Sequence, residues 1–203
     1  MQALQALLLD LDGVLRLWDR ANTQQAESLG ALPAGAIHAT AFAPDLLQPA
    51  ITGQIDDPTW RSRVAERLAT RHPQADAELA VSQWSKPVGR VDHQVLEIVR
   101  SVRSRATVVL VTNATSRLPA DLHALGLDTE FDHIVNSADL GYSKPDPRFF
   151  EAAVQMACIS PQQGLFVDDN LANTEAAATF GFRTHAYVDP AGLHAAIRHW
   201  LQR

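Results

Sequence analysis

Cysteine is almost absent from this chain. Cys158 stands alone among 203 residues, so no intramolecular disulfide can form, which fits a reducing compartment. A surplus of positive charge is missing too: 17 Lys and Arg against 23 Asp and Glu give a net charge of −6 and a pI near 5.7. General binding to nucleic acid or to an anionic membrane draws on surplus Lys and Arg, so neither is expected as a partner, although phosphate can still be bound locally. No run approaches the roughly 18 apolar residues of a membrane span. The N-terminal segment lacks the basic region of a secretory leader, and its apolar run is broken by Asp10 and Asp12. The cytoplasm is therefore the expected location. Internal repeats and low-complexity tracts are absent, and oligomeric state has no signature. With 46% hydrophobic residues, the chain can bury a core as one domain, or as one domain carrying an insertion.

The stretch ALLLDLDGVL, residues 6–15, organises the rest. A short apolar run ending in acids and Gly13 is how a buried strand runs out into an active-site loop. Side chains alternate along a strand, so Asp10 and Asp12 leave an extended chain on one side and can serve one small volume. Two carboxylates that close repel unless a cation lies between them or one takes a proton. The result is a metal site or an acid beside a nucleophile. Asp-X-Asp-Gly also occurs in plain turns and calcium loops, so the motif needs support from the remaining chain.

From Leu17 to Arg90 the periodicity is helical. Helices are expected over Thr23–Leu29, around Asp45–Ile51, over Asp57–Thr70 with Asp57 as its cap, and weakly over Ala75–Trp84. Trp60, Val64 and Leu68 form an i, i+4, i+8 stripe, which leaves Arg61, Arg63, Arg67 and Arg71 as a solvated face. Lys86 to Gly89 reads as a linker. From Val91 onward helix and strand alternate: helix Val91–Arg103, strand Thr107–Thr112, helix Leu118–Leu125 and strand His133–Asn136. Helix Pro147–Ala157, strand Gly164–Asp168, helix Leu171–Phe180, strand Arg183–Val188 and helix Leu193–Leu201 complete the series. This predicts an α/β fold, a parallel sheet sandwiched by helices, built from residues 1–16 and 91–203, with residues 17–90 as an inserted all-helical cap. In such sheets ligands bind beyond the carboxyl ends of the strands.

Four strand ends or loops carry polar residues suited to phosphoryl transfer onto a carboxylate. They are Asp10 with Asp12; Thr112 and Asn113, whose hydroxyl, amide and backbone N–H groups can hold phosphate oxygens; Lys144 in a loop stiffened by Pro145 and Pro147; and Asp168 with Asp169. Each has a plainer reading as a helix cap or surface charge, but their joint order argues for one site. Cys158 reads as core, and His38, His93, His185, His194 and His199 show no ligand spacing and read as solvated or capping.

DLDGVL, VTNAT, SKPDPRFF and FVDDNLAN resemble the four ordered motifs of the haloacid dehalogenase superfamily, over nearly the whole chain. The resemblance implies a Rossmann-like core with a helical cap inserted after the first strand. It further implies Asp10 as a nucleophile forming an aspartyl phosphate, Asp12 as general acid and base, and Thr112 as a holder of the phosphoryl group. Lys144 would steady Asp10 and the phosphate, with Gly13 and Asn113 at the same substrate. Mg²⁺ would bind through Asp10, Asp169 and the Asp12 carbonyl, with Asp168 helping through water. Dehalogenating members lack an acid at the position of Asp12, because halide leaves without a proton, so Asp12 points to phosphate esters. Val14 stands where many members carry Thr, and Val also occurs in related phosphatases and sugar-phosphate mutases, so it does not select a substrate. The implied activity is a Mg²⁺-dependent phosphatase acting on a small phosphorylated metabolite. Alternatives are a phosphomutase of the β-phosphoglucomutase type and a non-catalytic binding module.

Overall fold

Ala6–Leu9 holds no polar side chain, and it takes the middle of the sheet. The computed structural model describes residues 5–201, with side chains to residue 200. In chain order, β1 (Ala6–Leu9) and β2 (Arg16–Leu17) precede five helices: α1 (Arg20–Leu29), α2 (Ala36–Ala41), α3 (Pro44–Ile51), α4 (Asp57–Arg71) and α5 (Ala77–Trp84). Next come β3 (Arg90–Val91), α6 (His93–Arg103), β4 (Thr107–Thr112), α7 (Leu118–Ala124), β5 (His133–Asn136) and α8 (Ser137–Leu140). The chain closes with α9 (Pro147–Ala157), β6 (Gly164–Asp168), α10 (Leu171–Phe180), β7 (Arg183–Ala186) and α11 (Pro190–Leu201). No helix among the described residues is long and apolar enough to cross a membrane.

The sheet is parallel throughout, in the order β5-β4-β1-β6-β7. Leu8 lies between Val109 on one side and Phe166 on the other. Alternation sends Leu7 and Leu9 into one hydrophobic cluster with α6, and Ala6 and Leu8 into another with Phe149, Phe150 and Phe182. Both faces are covered, which is why β1 and β4 read as unbroken apolar runs. Chain progression runs outward from β1 through β4 to β5, then crosses back to β6 and β7. Strand order therefore reverses between β1 and β6, and the crevice beyond their carboxyl ends is the expected ligand position.

Helices α1–α5 bury their own cluster, in which Trp60, Val64 and Leu68 are 5%, 0% and 0% exposed. The expected cap of α4 is corrected by one residue. Asp56 accepts the Thr59 N–H at 2.9 Å, while Asp57 is buried and takes the Thr115 hydroxyl at 2.8 Å, tying the helical layer to the loop after β4. Arg117 adds a second tie by donating to the Ser85 and Pro87 carbonyls. The two ends of the helical excursion pair as a short antiparallel ribbon, Arg16 with Val91 and Leu17 with Arg90. That ribbon, α2 and α8 were not expected from periodicity; each is too short to show a period.

Candidate active site

Asp10 leaves β1 with its backbone N–H still on the Val167 carbonyl at 2.9 Å, so the sheet fixes its position beside β6. Lys144 reaches it from the loop before α9. The ammonium is 2.9 Å from Asp10 Oδ1, 2.7 Å from Asp168 Oδ2 and 2.9 Å from the Val111 carbonyl, and these three acceptors use its three donors. Asn113 holds that loop in place: its amide donates to the Lys144 carbonyl at 2.9 Å and its carbonyl accepts the Lys144 N–H at 2.8 Å. The side chain expected to hold phosphate is thus engaged with Lys144, and Asn113 positions the lysine instead. Thr112, at the end of β4, is buried, and its hydroxyl makes no hydrogen bond among the described residues.

Asp168 is fully buried and accepts from Lys144, from the Asn170 N–H at 2.9 Å and from Asn173 at 3.1 Å on each oxygen. Its oxygens are occupied. Asp169 is exposed beside it, and one oxygen from each of Asp10, Asp168 and Asp169 lies within 4.8 Å of the others. Gly13 makes room for this. A Cβ there would stand 2.1 Å from Asp169 Oδ2, and its φ of +82° is the left-handed region where glycine is unstrained. The Gly13 N–H donates to the Arg16 carbonyl at 2.9 Å, so a contact with substrate through that group is not available in this arrangement.

Burial pushes the Asp10 carboxyl up to about 7, with Asp168 and Asp12 adding to the effect and Lys144 opposing it. Burial also raises Asp169, with Asp168 contributing. Burial disfavours the Lys144 charge, but Asp10 and Asp168 outweigh it and hold the ammonium above its usual range. Three carboxylates against one ammonium leave an excess of negative charge that a divalent cation would balance. The donors are hard oxygens, which suits Mg²⁺. Asp10 Oδ2 makes no hydrogen bond among the described residues and Asp169 is open, so these two fit direct ligation, with Asp168 behind them.

Asp12 stands apart from this cluster. Its carboxylate accepts Arg16 Nε at 2.6 Å and Nη2 at 2.8 Å, and the Trp18 indole N–H at 2.6 Å. Arg16 is itself buried and extends its third donor to Asp121 at 2.9 Å; Arg117 holds the other Asp121 oxygen at 2.7 Å. Asp12 also lines a cavity of about 420 Å³ between sheet and helical layer, along with Asn113, Trp18, Phe42, Trp60 and Trp84. Arg61, expected on a solvated face, belongs here: it pairs with Asp57 and lies over Trp60 and Trp84. His38, expected as a solvated or capping residue, is exposed and stacks on Phe42 at 4.6 Å at the same cavity. Sequence reasoning missed Arg16, Trp18 and Asn173. Asn173 was findable, one turn into the helix that follows Asp168 and Asp169; Arg16 was not, because its partner Asp121 is 105 residues away.

Residues 4–181 match the family model described as haloacid dehalogenase-like hydrolase. A human protein, haloacid dehalogenase-like hydrolase domain-containing protein 3, is 31% identical over 104 residues, 50% of this chain and 41% of its own length. A GMP/IMP nucleotidase of Escherichia coli is 36% identical over 76 residues, 37% of this chain and 34% of its own. The chain thus matches less than half the length of these two relatives. A solved haloacid dehalogenase family enzyme of Bacteroides thetaiotaomicron, in complex with magnesium and inorganic phosphate, superposes with a TM-score of 0.75 at 22% identity, covering 94% of this chain and 98% of that one. This last likeness concerns the fold.

Proposed function

Since the chain belongs to the haloacid dehalogenase-like hydrolases, we propose that it is a Mg²⁺-dependent phosphatase that cleaves a small phosphorylated metabolite through an aspartyl phosphate on Asp10. The observation that carries this reading is the placement of Asp10: one oxygen is fixed by Lys144 and the Leu11 N–H, and the other is open, at the strand-order reversal. A carboxylate oxygen of Asp10 attacks phosphorus, the bond from phosphorus to the ester oxygen breaks, and that oxygen takes a proton from Asp12. Water then attacks that phosphorus and gives a proton to Asp12, and the bond from phosphorus to the Asp10 oxygen breaks, releasing phosphate and restoring the carboxylate. Asp12 as held, accepting three hydrogen bonds, is arranged as the base of this second step, and it must be protonated before the first. Lys144 offsets the repulsion between carboxylate and phosphate by its charge, while Thr112 offers a hydroxyl at the end of the neighbouring strand β4. Bound Mg²⁺, held by Asp10 and Asp169 with Asp168 behind, supplies the remaining positive charge that lets a carboxylate meet a phosphate dianion.

The relatives support this assignment: one is named a nucleotidase, and another was solved with magnesium and phosphate. Asp12 favours ester hydrolysis over dehalogenation, since halide needs no proton. Phosphate release from a panel of phosphorylated metabolites is expected with Mg²⁺ and is expected to stop with EDTA. Full activity after EDTA treatment would refute the metal assignment, and release from none of the esters would refute the activity.

A further inference from the structure

The cavity that Asp12 opens into is walled by aromatic rings and carries no excess charge. Four aspartates and four arginines line it. Arg16 and Arg117 are paired with Asp12 and Asp121, and Arg61 with Asp57. Arg20 alone among those arginines lacks a carboxylate partner among the described residues, and the carboxylate of Asp19, one residue before it, lines the same space. A second phosphate or a carboxylate on the substrate would therefore lose its hydration and find only Arg20 uncommitted, with the Asp19 carboxylate lining the same space.

Two large rings in the cavity are left open: Trp18 is 48% exposed and Phe42 is 47% exposed. Trp18 is placed with respect to the chemistry. Its indole N–H is on Asp12 Oδ1, and the Arg16 guanidinium lies 4.7 Å from its ring centroid, where cation and ring attract. Asp12 is the group that gives its proton to the ester oxygen, so whatever that oxygen carries must leave the phosphate alongside Trp18. Phe42 lines the same cavity, with the His38 ring stacked on it. Open aromatic faces gain by being covered, and flat rings cover them best. A volume of about 420 Å³ is within the range of sites that enclose a small-molecule ligand.

We propose that the leaving alcohol carries a flat aromatic or heteroaromatic ring and no second anionic group, and that Trp18 and Phe42 bind that ring. The proposal rests on the phosphatase reading and names the substrate class of that site. Nucleoside 5′-monophosphates and phenethyl phosphate have the required ring. Phosphoglycolate has a carboxylate in its place, and glycerol 2-phosphate has only hydroxyls; all four leave as alkoxides, so the comparison is not governed by aryl leaving-group acidity.

The test is kcat/KM for these four substrate types with Mg²⁺, on the wild type and on Phe42→Ala. The ring-bearing esters are expected to exceed the ring-free ones by about tenfold or more, the scale of one well-covered aromatic contact. Phe42→Ala is expected to lower the ring-bearing values about tenfold more than the ring-free ones. Phosphoglycolate or glycerol 2-phosphate cleaved as well as the ring-bearing esters, or an equal loss on all substrates in the variant, would overturn the substrate class while leaving the phosphatase reading standing. Release of phosphate from none of them would overturn both.

Discussion

Lys144 Nζ lies 2.7 Å from Asp168 Oδ2, with the lysine side chain 1% exposed and the aspartate 0%. A charge pair this deeply buried is tolerated only because every donor and acceptor in it is used. Lys144→Met would leave Asp10 and Asp168 facing each other without a cation. The expected result is loss of activity together with a loss of about 3–5 kcal/mol of stability, the usual cost of orphaning one member of a buried pair. Chemical denaturation reads the stability. A variant as stable as the wild type would mean that the ammonium does not compensate the two carboxylates.

Gly13 and Asp169 meet so closely that no other residue fits at position 13 without displacing the carboxylate. Gly13→Ala is expected to fold and to bind Mg²⁺ about 10–100-fold more weakly, the range for disturbing the support of a metal ligand. Calorimetric titration with Mg²⁺ measures this directly. Unchanged affinity would remove Asp169 from the ligand set.

Glu130 supplies a pH-dependent part of the stability away from the site. Its two oxygens take the Arg100 guanidinium, which holds the carboxyl below its ordinary value of 4.5 against the opposing effect of burial. A depressed folded pKa stabilises above the unfolded value, and that contribution is lost as pH falls through the folded value. The wild type is therefore expected to be more stable than Arg100→Met near pH 7 (roughly neutral), with the gap closing as pH is lowered below about 4.5. A gap independent of pH would show that the pairing adds nothing to stability.

How far these features could be read from the sequence depended on how local their causes are. The strands β1, β4 and β6 are buried on both faces and so announce themselves as apolar runs, and the acids at their ends mark where the sheet stops. The order of the motifs placed Asp10, Lys144, Asp168 and Asp169 on the same structural edge before any fold was known. What stayed hidden depends on distant partners. Asp57 looks like a helix cap because it sits beside Asp56; only Thr115, 58 residues on, shows it to be a tie between layers. Arg61 falls off the apolar stripe of α4, and only the arrangement of Trp84 and Ser85 makes it a cavity residue. Asn113 carries the right groups for phosphate, yet the adjacent loop claims them for Lys144.

In the proposed reaction Asp10 becomes phosphorylated and Asp12 acts on both halves. Asp12→Asn should slow turnover by about 10²–10⁴, the usual worth of general acid and base catalysis. With a nitrophenyl phosphate the first step needs little proton help, because the leaving group is acidic, while attack by water still needs a base. Phosphoenzyme should therefore accumulate in Asp12→Asn and be undetectable in Asp10→Asn. Mass spectrometry of rapidly quenched reactions decides between outcomes: added phosphate is expected on the peptide containing Asp10, and turnover of Asp10→Asn with phosphate on a hydroxyl such as Ser143 or Thr112 would rule out Asp10 as the nucleophile.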